Sequence, residues 1–241
     1  MNNKLKEQKH IRLFSACSVL ESLYKKDTFS PLEYAVLYKD FEEPIDISAL
    51  AHLWLYPASD RTMPALNNHL KKALNKIAQL LPSQVIQPTS IQLKKDTNGK
   101  PYFAPPYEKM VVNFSYTNGF GLLGLSTKAA IGIDIVEVTE SFKISGVVNS
   151  LFHPSEQLFF KTLDPVKAKN WFFNVWALKE AVLKSTGEGI AFGRLSKVLI
   201  ELRNESYTIK DGLQNKETIA GSMTFKRNDI EFIIGVAVYD S

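Results

Sequence analysis

The sequence predicts an α+β protein made of two consecutive halves, each a mixture of helix and strand. Its 241 residues allow one large domain or two small ones. Hydrophobic residues make up 45% and charged residues 22%, as in an ordinary globular chain with a substantial core. Helical and strand patterns occur on both sides of residues 127–130. We therefore predict an N-terminal α+β subdomain over 1–127 and a C-terminal one over 128–241.

The N-terminal half combines helical patterns with strands. Residues 12–26 predict an amphipathic segment. Residues 64–80 predict a helix, because apolar side chains recur there at helical spacing and Pro82 follows. Residues 111–115 and 120–126 predict strands, since both are short apolar runs next to turn-forming residues.

The C-terminal half begins with a strand predicted over 131–138. An aromatic-rich stretch over 142–160 follows. Residues 167–186 predict the longest helix, with an apolar stripe that stops at Gly187. Four strands complete the chain, with a hairpin turn over 226–229 before the last: 197–202, 206–210, 217–225 and 230–239.

Composition excludes several classes of protein. The single cysteine, Cys17, rules out an internal disulfide framework and a cysteine-rich metal site. No apolar run approaches the roughly 18–20 residues needed to span a bilayer, and charged residues before Cys17 argue against a signal peptide. The net charge of +4 is too small to indicate nucleic acid. We therefore expect a soluble cytoplasmic chain that binds neither nucleic acid nor membrane.

The positive charge is unevenly distributed. Residues 61–100 contain seven basic residues and one acidic residue, which gives a local charge of +6. This segment fits a site for phosphate groups.

Asp134 is the first candidate for chemistry. It lies inside an otherwise apolar strand, where a carboxylate is costly unless it is paired or bound to a metal. Alternation puts Asp134 on the face of Val136 and opposite Glu137. Gly132 would let a ligand or another backbone approach closely. The local pattern fits equally well a strand-end aspartate that meets solvent or an arginine.

Trp176, Glu180 and Lys184 form the second candidate, because their i, i+4, i+8 spacing puts them on one helix face. By itself this spacing favours a surface Glu–Lys pair. Together with Asp134, however, it provides two carboxylates and a lysine from different elements. Two carboxylates can hold Mg²⁺ with phosphate oxygens and water, and a lysine suits phosphate charge. The combination indicates phosphoryl-type transfer from a phosphate-bearing donor.

Five short motifs follow one another between residues 99 and 187: Gly99-Lys100-Pro101, Asn113-Phe114-Ser115-Tyr116-Thr117, Gly132-Ile133-Asp134-Ile135, Phe152-His153-Pro154-Ser155-Glu156 and Trp176-x-x-Lys179-Glu180-Ala181-x-x-Lys184-x-x-Gly187. The third and fifth resemble the signature of the 4′-phosphopantetheinyl transferases. The fourth resembles the Phe-x-x-x-Glu segment of that family, and the first two resemble the extension of its Sfp-type members. The ordered set is a specific signal, whereas one motif alone would be weak.

This resemblance implies a fold and a reaction. The fold is a pseudo-dimer of two similar α+β halves, with coenzyme A bound in the cleft between them, and such a chain works as a monomer. The reaction moves the phosphopantetheine arm of coenzyme A to a serine of an acyl or peptidyl carrier protein and releases 3′,5′-ADP. Fatty-acid, polyketide and nonribosomal-peptide carriers all remain open.

The resemblance also implies roles for individual residues. Asp134 and Glu180 would hold Mg²⁺ against the pyrophosphate, and Glu180 would take the serine proton directly or through water. Lys184 would stabilise charge as the bond breaks. Trp176 would support the helix. The implied coenzyme A contacts are Lys100, Ser115, Tyr116, Lys184 and, for the 3′-phosphate, Arg61.

The sequence departs from the family pattern at two of these places. Tyr116 stands where the family has a histidine, and a tyrosine hydroxyl brings no positive charge. Val136 stands where Sfp-type members often have a third carboxylate, and Asp-Ile-Val-Glu resembles the holo-acyl-carrier-protein synthase branch instead. We therefore expect two carboxylate ligands completed by water. Two alternatives stay open: a homologue that binds coenzyme A or carrier protein without catalysis, and an unrelated Mg²⁺-dependent phosphohydrolase.

Overall fold

The fold is α+β, as the sequence predicts, and the paired strands of its sheets run antiparallel. The computed structural model describes the following residues: 31–32, 37–39, 43–45, 52–57, 63–80, 91–97, 99–126, 129–140, 142–187, 192–203, 206–211, 218–227 and 229–240. No helix in these ranges is long and apolar enough to cross a bilayer.

The described elements of the N-terminal half are, in chain order, β1 (Pro31–Leu32), β2 (Leu37–Lys39), β3 (Glu43–Ile45), β4 (His52–Pro57), α1 (Met63–Leu80), β5 (Leu93–Lys95), β6 (Pro101–Phe103), β7 (Val111–Thr117) and β8 (Phe120–Ser126). Those of the C-terminal half are β9 (Ala129–Glu137), α2 (Ile144–Leu151), α3 (Pro154–Phe160), α4 (Pro165–Thr186), α5 (Phe192–Leu195), β10 (Val198–Arg203), β11 (Ser206–Asp211), β12 (Thr218–Arg227) and β13 (Ile230–Asp240).

The predicted elements from α1 onward are confirmed within two residues at each end. The amphipathic segment predicted over 12–26 lies outside the described residues. The hairpin turn predicted over 226–229 is too wide, because β12 continues to Arg227, which pairs with Ile230. The turn is tight because Asp229 adopts a left-handed φ of 61°, a conformation that aspartate tolerates. The division into two subdomains stays a prediction.

Two antiparallel sheets pack face to face and carry helices on their outer sides. The first sheet has the strand order β1-β4-β8-β7 and the second has β12-β13-β9. Between them lies a core of aliphatic and aromatic side chains that includes Leu53, Leu122, Ile133 and Ile234. Helix α1 packs on the first sheet through a second core, and α4 packs on the second sheet through a third.

Helix α4 is defined at both ends by its sequence. The Asp164 side chain accepts a hydrogen bond from the Lys167 backbone N–H, and Pro165 occupies the first turn. Gly187 ends the helix with a left-handed φ of 75°. As a result, the motif that contains Glu180 and Lys184 stands on a rigid 22-residue helix.

Gly132 lets α4 lie directly on β9. A Cβ built on Gly132 would stand 1.8 Å from the Ala181 carbonyl oxygen and 2.3 Å from the Ser185 nitrogen. On the paired strand β13, a Cβ built on Gly235 would stand 2.3 Å from the Ala177 carbonyl oxygen. The close approach that the sequence predicts at Gly132 is therefore confirmed, and the neighbour is the backbone of α4.

We expect Gly132→Ala to lower the free energy of unfolding by about 3 kcal/mol, because the added methyl must push helix backbone away from the sheet. The matched control is Gly146→Ala on α2, where a Cβ meets nothing within 4 Å. This control should raise stability by about 0.5–1 kcal/mol through helix propensity. Urea denaturation measures both changes, and equal effects of the two substitutions would contradict the packing described above.

Candidate active site

Strand β9 and helix α4 bring three predicted site residues together. Asp134 and Glu180 are both buried, each 7% exposed, although both are acidic. The Lys184 Nζ lies 2.6 Å from Asp134 Oδ1 and forms a salt bridge with it. A Coulombic interaction couples Glu180 to both Asp134 and Lys184. The arrangement joins two carboxylates and an ammonium group at the junction of the sheet and the helix.

Ser115 adds a fourth group from β7. Its hydroxyl donates to Asp134 Oδ1 at 2.7 Å and accepts from the backbone N–H of Ile135 at 3.2 Å. The Lys184 Nζ also donates to Ser115 Oγ at 3.1 Å. The site is thus built from β7 in the N-terminal half and from β9 and α4 in the C-terminal half.

The charge balance of the site favours a cation near Glu180. Burial, together with the negative charge of Asp134, raises the pKa of Glu180 from its ordinary value of 4.5 to about 7, and Lys184 opposes this change only in part. None of the residues that the structure describes donates a hydrogen bond to this carboxylate.

Mg²⁺ suits such a pair, because it takes one or two carboxylates and completes its shell with phosphate oxygens and water. No group of three or more His, Cys, Asp or Glu side chains that could hold a metal occurs within the described ranges. Val136 packs against the apolar core beneath α4. Asp134 and Glu180 are oxygen donors of the kind that Mg²⁺ takes, and the magnesium site itself stays a prediction.

The raised pKa of Glu180 makes a prediction for stability. In metal-free buffer the Glu180 carboxyl group loses its proton near pH 4.5 in the unfolded chain and near pH 7 in the folded chain. The free energy of unfolding of the wild type therefore falls as the pH rises from 4.5 to 7. We expect Glu180→Gln to be more stable than the wild type by roughly 3 kcal/mol above pH 7 and equally stable at pH 4.5. Thermal denaturation at both pH values measures the difference. A variant that is no more stable at high pH would contradict the burial of this charge.

Lys100 approaches the same end of α4 from the N-terminal half. Its Nζ lies 2.9 Å from the point where a Cβ on Gly187 would stand, three residues beyond Lys184. Burial lowers the pKa of Lys100, and Asp96 opposes this change. Cations are favoured at the C-terminus of a helix, where the last carbonyl oxygens are exposed. Lys100 is thus held close to the predicted site.

The structure places Tyr116 on the other face of β7 from Ser115. Its hydroxyl accepts a hydrogen bond from Tyr56 at 3.2 Å, and its ring packs against the core beneath α1. Tyr56 in turn stacks on His69. The expected contact of Tyr116 with coenzyme A therefore stays a prediction. Arg61, the candidate for the 3′-phosphate, lies outside the described residues.

Trp176 lies one turn before Glu180 in an aromatic cluster. Its ring is 5.9 Å from Phe172, 6.3 Å from Phe142 and 6.4 Å from Phe152 between centroids. These contacts agree with the supporting role expected for Trp176. They fix α4 against the segment that follows β9.

Sequence reasoning missed a buried ion pair behind the site. Lys179 Nζ lies 2.8 Å from Glu156 Oε2, and both side chains are at most 1% exposed. Lys179 also donates to the carbonyl oxygens of Leu195 and Val198, while Glu156 accepts from the backbone N–H of Ile200 at 2.7 Å. One signal was available in the sequence, because Lys179 lies on the apolar stripe of the predicted helix.

His153 and Glu156 explain the start of α3. The His153 side chain accepts from the Ser155 N–H, and Glu156 accepts from the His153 N–H, which forms a capping box. His153 is therefore a helix cap. The Phe-x-x-x-Glu motif starts a helix and provides the partner of Lys179, so its role in this structure is to hold α3 and α4 together.

Three residues of the site, Asp134, Glu180 and Lys184, fall inside the stretch that matches a known family. A model of the 4′-phosphopantetheinyl transferase superfamily matches residues 130–235. The chain is 26% identical over 119 residues to the 4′-phosphopantetheinyl transferase HetI of Nostoc sp. The aligned stretch covers 48% of this chain and 49% of the relative. It is 28% identical over 148 residues to the L-aminoadipate-semialdehyde dehydrogenase-phosphopantetheinyl transferase of Rattus norvegicus. That aligned stretch covers 53% of this chain and 47% of the relative.

A crystal structure of a holo-(acyl-carrier-protein) synthase from Bacillus anthracis in complex with CoA (3′,5′-ADP) is similar with a TM-score of 0.40 and 19% identity, and the match covers 47% of this chain and 98% of that chain. This chain spans about half the length of the curated relatives it matches. The sequence match contains Asp134, Glu180 and Lys184 in the order that the motifs predict. Residues 130–235 of this chain are thus similar to the 4′-phosphopantetheinyl transferase superfamily.

Proposed function

We propose that this chain transfers the 4′-phosphopantetheine arm of coenzyme A to a serine of an apo acyl or peptidyl carrier protein, releasing 3′,5′-ADP in a Mg²⁺-dependent reaction. The observation that carries the proposal is the convergence of Asp134, Glu180 and Lys184 in a buried site. The superfamily match over residues 130–235 supports it.

The reaction exchanges one phosphorus–oxygen bond for another. The carrier serine oxygen forms a bond to the phosphorus that bears the pantetheine arm, while the bond from that phosphorus to the bridging oxygen breaks and the electron pair leaves with 3′,5′-ADP. Glu180 accepts the serine proton directly or through a water. Lys184 donates to pyrophosphate oxygens and stabilises the charge that grows on the leaving group.

Asp134 and Glu180 would hold Mg²⁺, which when bound supplies positive charge that offsets the charge of the pyrophosphate. The burial of both carboxylates strengthens their attraction to a cation, since water screens it little. Lys184 already neutralises part of the charge on Asp134 at 2.6 Å.

We also propose the coenzyme A contacts that the resemblance implies. Lys100 and Lys184 would bind the pyrophosphate region, since both lie near the C-terminal end of α4. Tyr116 and Arg61 would contribute from the N-terminal half. In this proposal the two halves form a pseudo-dimer with coenzyme A in the cleft, and the chain acts as a cytoplasmic monomer.

Product analysis tests the proposed function. Coenzyme A, Mg²⁺ and a panel of apo carriers of fatty-acid, polyketide and nonribosomal-peptide type are incubated with the protein, and nucleotides are separated by chromatography. We expect 3′,5′-ADP in equal amount to modified carrier. Inorganic phosphate without modified carrier would instead indicate a phosphohydrolase. Coenzyme A binding by calorimetry without any product would indicate a homologue that binds without catalysis.

A further inference from the structure

We propose that Ser115 is a positioning residue that holds Asp134 and Lys184 in one arrangement and that it does not bind a phosphate of coenzyme A. This inference rests on the proposed function, because it concerns the same site, and it departs from the role that the family resemblance implies for Ser115. Three hydrogen bonds of one buried hydroxyl group carry it.

The hydrogen-bonding capacity of Ser115 is fully used inside the protein. A serine hydroxyl offers one donor and two acceptor lone pairs. The donor goes to Asp134 Oδ1 at 2.7 Å. The acceptors receive the Ile135 N–H at 3.2 Å and the Lys184 Nζ at 3.1 Å.

A phosphate oxygen can only accept a hydrogen bond from this hydroxyl. To donate to a phosphate, the Ser115 hydroxyl would have to break its hydrogen bond to Asp134. The buried Asp134 carboxylate would then lose one of its hydrogen-bond donors. Ser115 is itself only 4% exposed, which limits access to a ligand. Lys184 has three ammonium hydrogens, and among the described residues two of them serve Asp134 and Ser115, which leaves one for a phosphate.

The contacts also explain how Ser115 sets the geometry of the site. The Ile135 N–H belongs to the residue next to Asp134, so it ties Ser115 to the backbone of β9. Two donors, Ser115 Oγ and Lys184 Nζ, meet at the same oxygen of Asp134. Their convergence fixes the rotation of the carboxylate about its last bond, and residues that orient metal-binding groups in this way tune the affinity for the metal.

The test compares Ser115→Ala with Ser115→Thr, which keeps the hydroxyl and suits a strand position. Ser150→Ala is the matched control, since it removes an exposed serine that donates to the Gly146 carbonyl on α2. For Ser115→Ala we expect a kcat about 10- to 100-fold lower, a KM for coenzyme A within about twofold of the wild type, and Mg²⁺ affinity about tenfold lower by calorimetry. Ser115→Thr should recover most of the kcat, and the control should change nothing.

A KM for coenzyme A that rises about tenfold at unchanged kcat would overturn the inference in favour of a phosphate contact. Unchanged kcat and Mg²⁺ affinity in Ser115→Ala would overturn it as well. If the wild type modifies no carrier, the proposed function fails, but the Mg²⁺ titration of the wild type and Ser115→Ala still decides the role of Ser115. Circular dichroism of each variant verifies that it is folded.

Discussion

Replacing Asp134 by Asn should lower the rate of phosphopantetheine transfer by about 10³-fold at saturating substrate. Asparagine keeps the shape of the side chain and can still accept from Ser115, but it removes the negative charge that pairs with Lys184 at 2.6 Å. It also removes one of the two carboxylates available to Mg²⁺. Initial rates at several Mg²⁺ concentrations measure the loss, which added Mg²⁺ should not restore.

Glu137→Gln is the matched control for Asp134→Asn. Glu137 ends the same strand, and its side chain lies on the opposite face from Asp134, so its charge should not matter for transfer. We expect the control to retain wild-type kcat within about twofold. Normal turnover in Asp134→Asn, or an equal loss in Glu137→Gln, would refute the assignment of Asp134.

Replacing Lys179 by Met should lower the free energy of unfolding by about 3–5 kcal/mol. The substitution leaves the Glu156 carboxylate buried at 1% exposure without its cation. It also removes the donor to the Leu195 and Val198 carbonyl oxygens, which tie α4 to α5 and β10. Burial already lowers the pKa of Lys179, although Glu156 opposes this change. Chemical denaturation monitored by tryptophan fluorescence measures the loss.

Two further variants isolate the buried charge as the cause. Lys167→Met breaks a salt bridge with Asp164 whose side chains are 75% and 47% exposed, so it should cost much less stability than Lys179→Met. The double variant Lys179→Met/Glu156→Gln removes both charges and should recover part of the stability lost in Lys179→Met. A single variant as stable as Lys167→Met would contradict the role of this ion pair.

Local patterns single out the residues that the structure brings together, although each pattern alone fits a structural role as well. Asp134 stood out as a carboxylate in an apolar strand, and the helical spacing of Glu180 and Lys184 put them on one face. The order of the motifs allowed the further step that the strand and the helix act together. The structure agrees, since Lys184 reaches Asp134 across 50 positions of the chain.

Contacts between elements that are distant in the chain could not be predicted from local sequence patterns. The pairing of Glu156 with Lys179 depends on how α3 packs against α4, and no local spacing encodes it. The hydrogen bonds of Ser115 depend on β7 lying beside β9, which the strand pattern alone does not reveal. Alternation along β7 could, however, have shown that Ser115 and Tyr116 point to opposite faces.

The intact mass of an apo carrier protein tests the central claim most directly. The carrier is incubated with coenzyme A, Mg²⁺ and either the wild type or Asp134→Asn, and its mass is recorded by mass spectrometry. We predict that the wild type makes at least one carrier of the panel heavier by a single phosphopantetheine arm, while Asp134→Asn and a sample without Mg²⁺ leave it unmodified over the same time. An unchanged mass for every carrier with the wild type, or the same gain without Mg²⁺, would contradict the proposed reaction.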